Sequence, residues 1–311
     1  MPAISIIVPF YNRHGLIGET VESVLQQGLT DLEIVIVDDG SREPLKPSDL
    51  GRGDGDARIR LFRQDNRGSG AARNAALREA RGDHVLFLDS DDLLVPGGLE
   101  VLLARAREGD FDAVVGNWRD LVDGRAERHF RPSFPYRDAL ANVVDGGWAT
   151  GSALLKRSLR PVCPEEKSRL PWDMAECYLR ALSDPAARIA HVDRDIVMMR
   201  QDSDGRLTVL YDHFDPVKAG RFWCEMKASF ALDDERRAAF DRQIFRFVLT
   251  LFHAGENAAA AELFASIDAD RLKRHAWCSA FSPAWFAATL GLSPGLGLQR
   301  LLHRLRGGRL G

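Results

Sequence analysis

Short apolar runs alternate with amphipathic segments along the first 120 residues, the rhythm of a parallel sheet whose strands are joined by crossover helices. Ile4 to Val8 reads as the first strand. Ile17, Val21, Val24 and Leu25 then recur at helical spacing with Glu19, Glu22 and Gln26 between them, so an amphipathic helix should follow. From Glu33 to Val37 only the first residue is polar, which predicts a strand covered on both faces. Arg58 to Phe62 is a weaker third strand. Gly70 to Arg81 is rich in alanine and should be a helix that Gly82 stops at its C-cap. His84 to Leu88 is the next strand, Leu99 to Arg107 a helix and Ala113 to Trp118 a further strand.

Beyond residue 120 the periodicity loosens. Pro132, Pro135, Pro161, Pro164 and Pro171 punctuate the chain, and only Ala175 to Leu182 reads clearly as a helix before about Asp215. A helical region then opens, through Phe240 to His253 and Ala258 to Ile267. The pattern predicts an α/β fold with a Rossmann-like, mostly parallel sheet and flanking helices. Its two halves cover residues 1–120 and 121–210, and a helical C-terminal region covers 211–311. The length of 311 residues, beyond the roughly 100–200 of a usual single core, fits such an appendage.

A composition of 45% hydrophobic and 28% charged residues suits a packed globular chain. The net charge of -3 offers no general attraction to nucleic acid, so no nucleic-acid partner is expected. Cys163, Cys177, Cys224 and Cys278 are scattered and form no C-x-x-C or Cys/His pair, which suggests neither a zinc site nor a disulfide framework and fits a reducing compartment. The first residues lack the basic and long apolar regions of a secretion signal, so a cytoplasmic location is expected. Ala276 to Gln299 carries no Asp, Glu, Lys or Arg, yet Pro283 and Pro294 leave only Ala284 to Ser293 uninterrupted, too short to span a bilayer. From Arg271 onward Arg271, Lys273, Arg274, Arg300, Arg304, Arg306 and Arg309 stand without any acid, and Trp277, Phe281, Trp285 and Phe286 are interleaved. Leu298, Leu301, Leu302 and Leu305 share one helical face. Such a tail suits either peripheral contact with an anionic membrane or packing on the rest of the protein.

Candidate chemistry sits where predicted strands end. The first strand ends in Pro9-Phe10-Tyr11-Asn12, where a nicotinamide or flavin enzyme would carry G-x-G-x-x-G. Gly68 to Arg73 places arginine where that fingerprint needs its third glycine. The second strand delivers Asp38-Asp39-Gly40-Ser41, whose carboxylates could accept hydrogen bonds from a base N–H and ribose hydroxyls or simply shape a turn. The strand at His84 runs into Asp89-Ser90-Asp91-Asp92, three carboxylates in four residues. That density is costly unless a cation or solvent compensates it, and hard oxygen donors suit Mg²⁺ or Mn²⁺. Open α/β sheets bind ligands at this carboxyl edge.

Val8-Pro9-Phe10-Tyr11-Asn12, Val37-Asp38-Asp39-Gly40-Ser41, Gly70-Ala71-Ala72-Arg73-Asn74 and Leu88-Asp89-Ser90-Asp91-Asp92 follow one another as in the inverting family 2 glycosyltransferases of GT-A fold, which the chain resembles over residues 3–120 and more faintly to about 210. The resemblance implies transfer of a sugar from a nucleotide-sugar, of the UDP type, to a glycan or lipid-linked acceptor. Asp39 would meet uracil, Pro9, Tyr11 and Asn12 would line the nucleotide pocket, and Arg73 would steady the nucleotide. Asp38, Asp89 and Ser90 join them as donor-binding candidates. Asp91, with Asp89 or Asp92, would hold Mn²⁺ or Mg²⁺ on the diphosphate. Gly151 to Arg157 resembles the segment before the family's acceptor site. Arg200-Gln201-Asp202 resembles its Arg-x-His motif, with Asp202 in the histidine's place. Asp173 stands where the family's general base is found, although Pro171 and Trp172 precede it in place of the usual Glu; Glu165, Glu166 and Glu176 are its rivals. Asp173 also suits a helix N-terminus as a plain charge. A sugar-nucleotide pyrophosphorylase would share the layout but needs a glycine-rich loop after the first strand. A non-catalytic sugar-nucleotide-binding protein is the other alternative.

Overall fold

The computed structural model describes residues 1–132, 137–146, 148–165, 172–201, 215–268 and 287. Two compact units divide the chain, Met1–Pro135 with Gly146–Leu210, and Tyr136–Asp145 with Tyr211–Gly311.

The first unit is built on one sheet. Its strands are β1 (Ile4–Phe10), β2 (Leu32–Asp39), β3 (Ile59–Gln64), β4 (His84–Phe87), β5 (Leu93–Leu94), β6 (Ala113–Val122), β7 (Arg125–Phe130), β8 (Ala153–Lys156) and β9 (Ile189–Arg200). Among the described residues their order is β3-β2-β1-β4-β8-β6-β9-β5, with β7 paired to β6. β3, β2, β1 and β4 run parallel. β8 is antiparallel to both β4 and β6, whereas β6 and β9 are parallel again. The helices of this unit are α1 (His14–Leu25), α2 (Ser69–Glu79), α3 (Gly98–Gly109) and α5 (Asp173–Ala181).

The apolar runs read from the sequence are the centre of this sheet. Every residue of β2 is buried, as a strand covered on both faces requires. Because successive side chains alternate faces, Ile4, Ile6, Val8 and Phe10 of β1 join one core with Ile17, Val21 and Val24 of α1 and Leu99 and Leu102 of α3. α2 packs on β1 and β2 through the buried small side chains Ala71, Ala72 and Ala76. Its end corrects one expectation: α2 stops at Glu79 with Ala80 extended, so Gly82 is not its C-cap. Gly82 serves close packing instead, since a Cβ there would lie 2.5 Å from the Ser5 amide nitrogen. Glu33, polar at the head of β2, is buried but satisfied by the Ser5 hydroxyl at 2.6 Å, the Arg81 amide at 2.6 Å and Arg60 at 3.2 Å. These donors outweigh the upward push of burial and hold its carboxyl below the usual range.

The second unit is helical, with α4 (Ala139–Gly146), α6 (Pro216–Ser229), α7 (Asp234–Ala254) and α8 (Asn257–Phe264). Asp215 caps α6 by accepting from the Val217 and Lys218 amides, with Pro216 at the first helical position. Gly255 ends α7 in the left-handed region at φ 86°. Ion pairs to buried carboxylates fix the segment before and through α4 onto α7: buried Arg236 with Asp138 at 2.9 Å, and Asp145 with the half-exposed Arg246 at 2.9 Å and Arg242 at 2.8 Å. No helix of the described residues is long and apolar enough to cross a membrane. The basic tail from Arg271 and the stretch Ala276 to Gln299 lie outside the described residues, Ala287 apart.

Candidate active site

The order β2-β1-β4 brings three carboxyl ends side by side, so the loops after Asp39, Phe10 and Phe87 share one rim of the sheet. Pro9 closes β1 opposite Val37, and Tyr11 behind it is 48% exposed. Asn12 turns the chain at φ 53°, a left-handed conformation that asparagine tolerates better than most side chains. That turn is tied to the neighbouring loop: the Asn12 amide donates to Ser41 Oγ at 2.9 Å, and Asn12 Oδ1 accepts from the Arg42 amide at 2.9 Å.

Adjacent Asp38 and Asp39 point to opposite faces of β2. Asp38 is buried and shapes its own loop, accepting from the Ser41 amide at 2.9 Å, the Leu45 amide at 3.1 Å and the Arg63 guanidinium. Burial pushes its carboxyl up, but these donors prevail and hold it below the ordinary aspartate value. Asp39, also buried, accepts from Gln64 Nε2 at 2.8 Å and the Arg67 amide at 3.0 Å on Oδ1, and from the Gly68 amide at 2.8 Å on Oδ2. It therefore pins the loop that leads into α2 and keeps one lone pair on Oδ2 beyond these bonds.

Asp89-Ser90-Asp91-Asp92 folds into a turn, with the Asp92 amide donating to the Asp89 carbonyl at 3.1 Å. Its carboxylates diverge. Asp89, one-third exposed, meets Arg73 Nη2 at 2.8 Å. Asp91, nearly buried, meets Arg13 Nη1 at 2.5 Å. Asp92 accepts from the Arg200 amide at 2.9 Å, and Arg200 Nε donates to the Asp91 carbonyl at 3.1 Å. Ser90 is buried within the turn. Arg200, which the sequence picked out, thus buttresses the acidic turn from the end of β9; Asp202 lies outside the described residues.

Asp173 opens α5 and reaches the same rim. Its Oδ2 accepts from Arg73 Nη1 at 2.5 Å and Ser69 Oγ at 3.1 Å, both from α2, while Oδ1 takes no hydrogen bond among the described residues. Arg73 is buried between Asp173 and Asp89. Burial alone would lower its pKa, but the two carboxylates more than reverse this and hold the guanidinium above its ordinary value, so it is always charged. Of the rival acids, Glu165 pairs with Arg67 at 2.5 Å and Asn74 at 3.1 Å, and Glu176 with Arg180 at 2.6 Å. Glu166 lies outside the described residues. Gly70 lets the chain pass closely here, because a Cβ on it would fall 1.8 Å from the Pro164 carbonyl oxygen. The fold also brings together two cysteines that the sequence leaves apart, with Cys163 and Cys177 Sγ atoms 3.3 Å from each other and both thiols free.

Among the described residues no three His, Cys, Asp or Glu side chains converge as a metal cage. Mg²⁺ and Mn²⁺ usually need only one or two carboxylates plus substrate phosphates, and because the carboxylates of this turn diverge, a single one such as Asp91 is the hard-oxygen donor the turn has to offer. The structure brings Asp89, Asp91, Arg73 and Asp173, which the sequence singled out, to one rim, and it adds Arg13 and Ser69, whose signal in the sequence was only their place beside the motifs at Asn12 and Gly70.

Residues 5–160, half of the chain, match the family model for Glycosyl transferase family 2. Among curated relatives, the GalNAc(5)-diNAcBac-PP-undecaprenol beta-1,3-glucosyltransferase of Campylobacter jejuni is 36% identical over 132 residues, 42% of this chain and 42% of the relative. Glycosyltransferase GlyG of Streptococcus pneumoniae is 35% identical over 128 residues, 41% of this chain and 42% of its own. The matches therefore span less than half the length of these relatives. Among solved structures, S. aureus TarS 1-349 in complex with UDP-GlcNAc superposes with a TM-score of 0.71 at 19% identity, over 100% of this chain and 93% of that one. The mannosyltransferase PcManGT from Pyrobaculum calidifontis, in complex with GDP-Man and Mn2+, gives 0.54 at 18% identity, over 99% and 88%. These likenesses establish the fold as GT-A type, and with the family match over the strand-end motifs the chain belongs to glycosyl transferase family 2.

Proposed function

We propose that the chain transfers a sugar, with inversion, from a UDP-type nucleotide-sugar to a hydroxyl of a glycan or lipid-linked acceptor. The observation that carries this reading is Arg73, whose terminal nitrogens meet Asp173 at 2.5 Å and Asp89 at 2.8 Å. One guanidinium ties the candidate base to the acidic turn. Such a tie keeps the proton acceptor at a fixed distance from the donor's reacting end, which a single displacement needs.

In this reading the remaining Asp39 lone pair accepts the uracil N–H, and Pro9, Tyr11 and Asn12 wall the nucleoside. Asp173, through Oδ1, takes the acceptor hydroxyl proton as the oxygen bonds to the anomeric carbon and the bond to the diphosphate breaks. That proton removal is worth typically about 10²–10⁴-fold. Arg73 holds Asp173 aimed, and Ser69 fixes which carboxylate oxygen faces α2. A divalent ion held by Asp91 would neutralise charge on the departing diphosphate. Two relatives support the substrate classes: one is named for an undecaprenol-linked glycan, and TarS binds UDP-GlcNAc. A cytoplasmic chain touching an anionic membrane through its basic tail fits a lipid-linked acceptor.

The test is a screen of UDP-, GDP- and dTDP-sugars with Mn²⁺, reading released nucleoside diphosphate. Release from UDP-sugars is expected, and release from none of the donors with a range of lipid-linked and glycan acceptors would overturn the proposal.

A further inference from the structure

Arg13 has no place in the reading above, yet its guanidinium lies 2.5 Å from Asp91 in the acidic turn. The strand order puts the β1 loop between the β2 loop, which carries Asp39, and the β4 loop, which carries Asp91. A nucleotide whose base lies at Asp39 and whose diphosphate reaches Asp91 must cross the residues after Phe10. The chain there is built to a fixed shape. Asn12 is held in the left-handed region at φ 53°, with its amide on Ser41 and its side-chain oxygen on the Arg42 amide. Arg13 follows at once as the cap residue of α1, contributes no side-chain cap to that helix, and directs its guanidinium to Asp91 Oδ2 at 2.5 Å. Its side chain keeps 15% of its exposure, against 6% for Arg73, which carboxylates hold from two sides.

We infer that Arg13 is a positioning residue for the donor diphosphate: it occupies Asp91 while the site is empty and transfers its charge-assisted hydrogen bonds to the diphosphate oxygens when nucleotide binds. The inference rests on the nucleotide-sugar reading of the β2 and β4 loops. Arginine suits the role because its planar fork matches phosphate oxygens in pairs, whereas lysine offers a point charge. The guanidinium also competes with any divalent cation for Asp91, so it sets the order of events. A cation arriving alone must displace Arg13 from Asp91, whereas one arriving with diphosphate brings Arg13 a new anionic partner. Nucleotide and cation should therefore bind cooperatively.

The test is calorimetry on the full chain with uridine, UDP, inorganic pyrophosphate and Mn²⁺, comparing the parent with Arg13→Gln, Arg13→Lys and Asp91→Asn. Arg13→Gln should weaken UDP and pyrophosphate about 10- to 100-fold, the worth of a charged phosphate contact, while uridine binding is unchanged. Mn²⁺ alone should bind Arg13→Gln more tightly than the parent, and Arg13→Lys should fall between the two for UDP. Equal UDP affinity in parent and Arg13→Gln, or uridine weakened as much as UDP, would overturn the inference. Failure of the underlying reading looks different: then UDP binds the parent no better than uridine does. Failure of the metal assignment differs again, because Asp91→Asn would keep the parent's Mn²⁺ response while the Arg13→Gln comparison in chelator still decides the role of Arg13.

Discussion

Replacing Arg73 by methionine tests how the candidate site is held together. Methionine roughly keeps the length of the side chain and removes its charge. Two carboxylates lose their partner, but unequally. Asp89 is one-third exposed and can be hydrated, so its loss costs at most about 1 kcal/mol. Asp173 is buried and, among the described residues, would keep the Ser69 hydroxyl at 3.1 Å alone, and stranding a buried charge costs about 3–5 kcal/mol. At roughly 2–4 °C per kcal/mol for a unit of this size, the combined cost of about 3–6 kcal/mol should make the first unit melt about 6–24 °C lower. The decisive measurement is the double-mutant cycle with Asp173→Asn. If the cost of Arg73→Met comes from the stranded Asp173 carboxylate, removing that charge as well should recover about 2 kcal/mol or more. Hydrogen exchange of the α2 and α5 amides reads the cycle locally, without assuming that both units unfold together. Costs that add to within about 0.5 kcal/mol would refute the coupling and with it the role of Arg73 as the tie between base and acidic turn.

Other perturbations reach other links of the argument. Gly70→Ala places a methyl 1.8 Å from the Pro164 carbonyl oxygen, so it should cost about 1–3 kcal/mol and raise exchange of the Cys163 and Glu165 amides, where Asn74 holds Cys163; unchanged exchange there would deny the close approach. Burial chiefly lowers the His84 pKa below 6.5, and among the described residues its Nδ1 has no partner. The unfolded chain then takes up the proton first, so stability is full above about pH 6.5 and is lost as pH falls through the folded value. Melting curves from pH 8 to 5 should show that decline, and His84→Gln should flatten part of it. Asp173→Asn should leave UDP affinity intact while turnover drops by about 10²–10⁴-fold, whereas Asp91→Asn should damage both; near-normal turnover with Asp173→Asn would move the base elsewhere.

The first half of the fold was legible because its strands are buried on both faces and its helices carry a full apolar stripe, so hydrophobic pattern alone locates β1, β2, β4, α1 and α3. The later strands carry no such pattern. β7 is exposed along nearly its whole length, β5 has two residues, and β9 mixes buried Ile196 and Val197 with exposed Asp193 and Arg194 and pairs with β6 through a register that shifts twice. β8 is four residues wedged between β4 and β6, and its strand character comes from that pairing. In the site, acidic residues after apolar strands were readable as chemistry in waiting. Their partners were not: Arg13 lies 78 positions from Asp91 and Arg73 100 from Asp173, separations over which only the fold brings opposite charges together.

Those partners also change what the acidic run means. Three carboxylates at a strand end invite a cation, and the protein supplies guanidiniums of two different kinds. Arg73 is a post: it is buried, doubly paired and charged at every pH, so salt should hardly reach it. Arg13 pairs with Asp91 and stands nearer solvent, on the loop that a diphosphate must cross. Raising ionic strength from about 0.05 to 0.5 M shortens the screening length from roughly 14 to 4 Å, which weakens exposed pairs and spares buried ones. Nucleotide affinity should therefore fall with salt in the parent and fall less in Arg13→Gln, while the salt response of Arg73→Met stays like the parent's. Equal slopes in the parent and Arg13→Gln would mean that the salt-sensitive charge on the diphosphate is some other residue, and that the two arginines do not divide the work in this way.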